Sequence, residues 1–169
     1  MLIQRGRKLM TDKLPVLYVF VNTDLPSMNP GKAQAHSGHA ANAFIHQYVI
    51  KPMRGGNMDL YSPIQEWMGA TPFGFGTQIN LKGNWDDVVN TVNTFCEQGG
   101  IGELVIDPTY PYIVDSEIVK LINPSLHTVP PIEMADGRFV CHRRETTAAY
   151  VFGLKEELET YVRKYPLHP

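Results

Sequence analysis

Cysteine is scarce in this chain. The two present, Cys96 and Cys141, are too few for a disulfide framework, and their separation fits no zinc-finger spacing. Long hydrophobic runs are missing too: no stretch approaches about 18 uncharged apolar residues, which argues against a membrane-spanning helix. The basic amino terminus, MLIQRGRKLMTDK, carries no apolar run of signal-peptide length. These absences predict a chain that stays in a reducing cytoplasm and has no dealings with a membrane. Charge of one sign is also lacking, because 15 Lys and Arg against 17 Asp and Glu leave a formal charge of -2. No global field draws the protein to nucleic acid, so a polyanion partner has to be met by a local patch. The glycines of GFG and GGIG match neither a phosphate-binding P-loop nor a dinucleotide fingerprint. No G-x-S-x-G elbow exists, and Ser37 falls inside a predicted helix rather than on a strand-to-helix turn.

What is present is a globular composition, with 43% hydrophobic residues over 169 positions, enough for the core of a single domain spanning 1–169. Leu14 to Val21, LPVLYVFV, is β-branched and aromatic without polar alternation, as expected of a strand buried on both faces. Asn29-Pro30 reads as an N-cap and first helical position, opening a helix to about Val49. Phe75 to Leu81 predicts a second strand. Asn84 caps a helix on which Trp85, Val88, Val89, Val92, Phe95 and Cys96 recur at helical spacing before the Gly99-Gly100 stop. Glu103 to Asp107 predicts a third strand and Thr147 to Phe152 a fourth, followed by a helix carrying Leu154, Leu158, Tyr161, Val162 and Tyr165. Helices between strands imply crossovers. The expected fold is therefore α/β, a three-layer sandwich with a four-stranded mixed β-sheet flanked by helices.

A basic extension, 1–13, precedes this scheme, and two insertions interrupt it. Residues 51–74 hold Ser62-Pro63-Ile64-Gln65, a helix-start signature with a capping box. Residues 111–143 hold Asp136-Gly137, a two-residue hairpin signal, on what reads as an appendage. Each insertion is either a lid or the cover of a sheet edge or dimer face.

The first helix bears the chemistry. Lys32, His36, His39 and His46 are spaced to share one face, opposite Ala33, Ala41, Phe44, Ile45 and Tyr48. Lys32 in the first turn of a helix, beside its positive N-terminus, suits a phosphate. His36-x-x-His39 invites a metal reading, but no glutamate stands inside the pair and Cys141-His142 is remote in sequence, so no metal ligand set and no cofactor are predicted. Asp107 closes a strand, where ligands gather in α/β sheets, and either orients an imidazole or caps the turn DPTYP.

The segments VFVNTDLPSMNPGK and AQAHSGHAANAF resemble the opening of the type 2 peptidyl-tRNA hydrolases. IQEWMG, ELVID and TTAAYVFG resemble later elements of that family in the same order. The resemblance implies a homodimer that cleaves the ester between a peptidyl group and tRNA without metal or cofactor. It places Lys32, His39 and Asp107 as catalytic, with His36, Thr146, Thr147, Asn22 and Tyr110 binding substrate. Departures are also clear. His36 and Ser37 replace a glutamine and a cysteine, and Pro108 to Tyr112 replaces a segment with glycine and arginine. Loss of that arginine predicts weak or no hydrolysis of ordinary peptidyl-tRNA. The rival readings are an RNA-, nucleotide- or protein-binding module on the same fold, and a hydrolase of a small ester or amide.

Overall fold

The structure is a computed structural model that describes residues 14–56, 61–121 and 129–168. The extension 1–13, with 57–60 and 122–128 of the two insertions, lies outside the described residues.

Strand β1, Pro15–Val21, is buried at every position. The run lacks polar alternation because both of its faces are covered. Helix α1 follows at Pro30–Ile45, capped by Asn29, whose side chain accepts from Lys32 N. It passes into one π-helical turn, His46–Ile50, and a short α2, Lys51–Arg54. In the wide turn Lys51 N donates to His46 O, just before Pro52, which has no N–H to continue a regular ladder. The helical path thus runs beyond Val49. Helix α3, Ser62–Gly69, lies in the first insertion, but its cap is Tyr61 with no side-chain bond, so the expected capping box does not form. Strand β2, Thr77–Leu81, leads to α4, Trp85–Glu97, where Asn84 accepts from Asp87 N as its spacing predicts. Gly99 then takes a φ of +85°, the left-handed stop that glycine adopts without steric cost.

Strands β3, Ile101–Val114, and β5, Phe139–Leu154, are far longer than the five or six residues expected. Between them lie α5, Ser116–Leu121, and the two-residue β4, Ile132–Glu133. Helix α6, Lys155–Val162, follows β5 directly. The sheet is mixed, with order β2-β1-β5-β3. β1 runs parallel to β2 and antiparallel to β5, which runs antiparallel to β3. β4 adds a fifth strand beside β5, giving one more than the sequence predicts. Much of the second insertion is therefore continued sheet. The Asp136-Gly137 signal marks a real hairpin, but with three loop residues: Met134 N donates to Arg138 O, Gly137 N donates to Met134 O, and Gly137 has φ +80°.

Successive residues of β1 point to different cores. Val16, Tyr18 and Phe20 pack with Val88, Val92, Leu158 and Val162, whereas Leu17 and Val19 pack with Ala40, Phe44, Ile64 and Trp67. The outer edge of β2 is covered by the chain's end, where Lys82 N donates to Pro166 O and His168 N to Asn80 O. No helix among the described residues is long and apolar enough to cross a membrane.

Candidate functional site

Two irregularities in the β3–β5 pairing shape the site. Val105 pairs with Ala148 and Ile106 with Thr146, so Thr147 is an extra residue on β5; Asp107 pairs with Glu145 and Tyr110 with Arg143, leaving Pro108 and Thr109 opposite Arg144 alone. Each is a β-bulge, a device that re-aims side chains. The second changes the alternation of β3, so Tyr110 faces α1 on the same side as Asp107, three positions earlier. Within it Asp107 Oδ1 accepts from Thr109 N at 2.7 Å and from Thr109 Oγ1 at 3.1 Å. One carboxylate oxygen thus caps the turn, as the sequence allows. The other, Oδ2, faces His36 Nε2 at 4.0 Å.

On the opposing helix the expected polar stripe divides. His36 is 4% exposed and belongs to the buried face with Ala33, Ser37, Ala40 and Phe44, while His39 is exposed. The rings of His36 and His39 meet edge to face at 5.2 Å, and His36 lies 5.5 Å from the Tyr110 ring. His46, exposed in the π turn, stands apart from this group. Burial pushes the His36 pKa below its ordinary value; Asp107 opposes that shift, and His39 and Lys32 add to it. The ring is held towards its neutral form. Its Nδ1 has no hydrogen-bond partner among the described residues. One potential metal donor from each of His36, His39 and Asp107 lies within 4.8 Å of the others. The third donor, which sequence spacing could not supply, is the one β3 brings across.

Lys32 Nζ donates to Pro111 O at 3.2 Å and sits 5.1 Å from the Tyr110 ring. Burial lowers its pKa. Ser27 Oγ, before the helix, is within hydrogen-bond distance of both Tyr110 Oη (2.8 Å) and Pro111 O (2.9 Å), tying the loop to β3. Tyr110 is 1% exposed and forms the inner wall of a cleft. In front of that wall opens a cleft of about 670 Å³ with Asn29, Lys32, Tyr112, Val140 and Arg143 in its lining. The Arg143 guanidinium lies 5.1 Å from the Tyr112 ring and 2.7 Å from Glu145. The second insertion therefore puts a second cation in the cleft that Lys32 lines. Of the residues expected to share one concave surface, Lys32 lines the cleft; His36 packs on the Tyr110 ring, and His39 packs on His36.

Asn22 and the two threonines are used differently. Asn22 N donates to Thr147 O at 2.9 Å and Asn22 Nδ2 to Thr146 O at 3.0 Å, which fastens the loop after β1 to the first bulge. Thr147 is fully buried, with Oγ1 unpartnered among the described residues. Asp24 Oδ2 accepts from Trp85 N at 2.9 Å and joins the same loop to α4. The sequence gives no sign of Ser27, which the loop before α1 brings to the cleft, and the β3–β5 pairing brings Arg143 there. A second hollow, of about 720 Å³, lies at the far end of the sheet between Phe95, Leu154 and Tyr161, and Glu157 is the one charged residue among the described ones lining it. It holds no comparable cluster of imidazole and carboxylate.

Comparison of the chain with protein families and with curated proteins finds no match.

Proposed function

We propose that the protein is a peptidyl-tRNA hydrolase-like enzyme that hydrolyses the ester between a peptidyl group and the terminal ribose of tRNA. One observation carries this reading: the Tyr110 ring packs against both Lys32, in a cleft that also contains Arg143, and His36 of the His36, His39 and Asp107 cluster. A substrate with an anionic backbone and a scissile ester needs those two features side by side. Lys32 and Arg143 receive phosphate, with Tyr112 available for a base to stack upon. His39, the exposed imidazole, takes a proton from water as the water oxygen attacks the ester carbonyl carbon. It returns that proton to the ribose oxygen as the carbon–oxygen bond breaks. Asp107 and His36 are positioning residues behind it.

At finer resolution the fold is a three-layer sandwich with four principal strands, acting as a cytoplasmic homodimer. The opposing reading, a binding module without turnover, is favoured by the 4.0 Å gap between His36 and Asp107, too long for a hydrogen bond. Purified protein incubated with a peptidyl-tRNA analogue decides between them. The enzyme reading expects slow release of free tRNA, slow because Tyr110 and its neighbours stand where the resembling family has its basic loop. It also expects His39→Ala to lower turnover about a hundredfold. No release, with RNA binding that survives His39→Ala, rejects catalysis in favour of the module.

A further inference from the structure

The same cluster carries an inference beyond a metal-free hydrolase. His36 and His39 stand one turn apart on α1, so their rings project from adjacent positions on the helix, and β3 delivers a carboxylate against them. All three donors lie within 4.8 Å of one another. A four-coordinate ion with bonds of about 2.0–2.1 Å holds its donors roughly 3.3 Å apart, so closing the cluster takes side-chain adjustments on the order of an ångström. His39 is free to make them, because it is exposed.

Two further features point to a ligand. His36 is 4% exposed, and its Nε2 stands 4.0 Å from Asp107 Oδ2, too far for a direct hydrogen bond and wide enough for an ion between them. Asp107 is already oriented for the task, with Oδ1 fixed by the Thr109 backbone and hydroxyl and Oδ2 left towards the imidazoles. Outer contacts of this kind set a ligating carboxylate in place.

We infer that His36, His39 and Asp107 form a binding site for a first-row divalent transition-metal ion of the zinc class. Two imidazoles with one carboxylate suit zinc and its neighbours better than calcium or magnesium, which take oxygen donors. Three protein donors leave a fourth position for water, as in hydrolytic rather than structural zinc sites. The site rests on the cluster of the proposed hydrolase but is an alternative state of it, because a His39 that ligates zinc has no free lone pair to take a proton from water.

The test is calorimetric titration of the chelator-stripped, full-length protein with zinc alone, alongside tRNA release measured with and without chelator. The expected result is one equivalent of zinc bound, with affinity lowered at least tenfold by His39→Ala and by Asp107→Asn and unchanged by His46→Ala. His39 and His46 are exposed, so both variants should fold; if Asp107→Asn does not, the pair still decides the question. No zinc binding, or binding that survives His39→Ala, overturns the site, as does loss on His46→Ala. Zinc bound at the cluster, with no tRNA release either in its presence or after chelation, leaves the site standing and removes the hydrolase reading. Release without zinc binding does the reverse.

Discussion

The two halves of β5 live in different surroundings. From Ala148 to Phe152 it is buried at every residue between β1 and β3, with an apolar core on each face. From Phe139 to Glu145 it lies beyond β1, pairs with β3 and β4, and includes the exposed Arg143 and Arg144. The first half is held by side-chain burial, which is non-directional and tolerant of sequence. The second depends on ladder bonds, the bulge opposite Arg144 and the Ser27–Tyr110 contact. The candidate site occupies the junction, where rigid body meets less covered arm, so the proposed hydrolase draws its imidazoles and Arg143 from regions stabilised in different ways.

Breaking the body should have the largest effect. Phe44 is fully buried and its ring meets those of Tyr48, Trp67, Tyr150 and Phe152. Phe44→Ala should cost about 3–5 kcal/mol in urea unfolding. In the arm, Tyr110→Phe removes only the hydroxyl that meets Ser27 and should cost about 1 kcal/mol, with a clear rise in KM for the RNA substrate as the cleft wall loosens.

A third effect is read in pH. Buried His36 resists protonation, whereas the unfolded chain takes up that proton near the ordinary value of 6.5. Below that value the unfolded state binds more protons, so this contribution to stability is present above pH 6.5 and is lost as pH falls through the lower folded pKa. Thermal melts should therefore fall more steeply with acid in the wild type than in His36→Gln, and parallel curves would contradict the burial argument. The smallest effect is expected at the arm's far end. Val114 and Phe139 already pair, so bridging them with a short turn in place of 115–138 should leave the body's unfolding transition nearly unchanged. A large loss of stability would make that segment part of the core.

The same contrast explains what the sequence reveals. β1, α4 and the Asn29 and Asn84 caps were legible because hydrophobic spacing and capping are local signals. The full lengths of β3 and β5 were not, since Pro108 and Pro111 read as turn residues while the pairing that absorbs them is set by a strand some thirty residues away. Helical spacing puts Lys32, His36 and His39 near one another on α1, yet gives no sign that His36 turns inwards while His39 stays exposed. That depends on Asp107 and Tyr110 arriving from β3, and the face Tyr110 presents depends on one extra residue in a bulge. Arg143 became part of the cleft for the same non-local reason.

The central claim is that Lys32 grips the substrate's anionic backbone while His39 acts on its ester. Steady-state hydrolysis of a peptidyl-tRNA analogue by wild type, Lys32→Ala and His39→Ala across a range of salt concentrations tests it most directly. The account predicts that Lys32→Ala raises KM and flattens its dependence on salt with kcat little changed, whereas His39→Ala lowers kcat about a hundredfold with the salt dependence of KM intact. Equal effects of the two substitutions on kcat, or a salt dependence of KM untouched by Lys32→Ala, would contradict it.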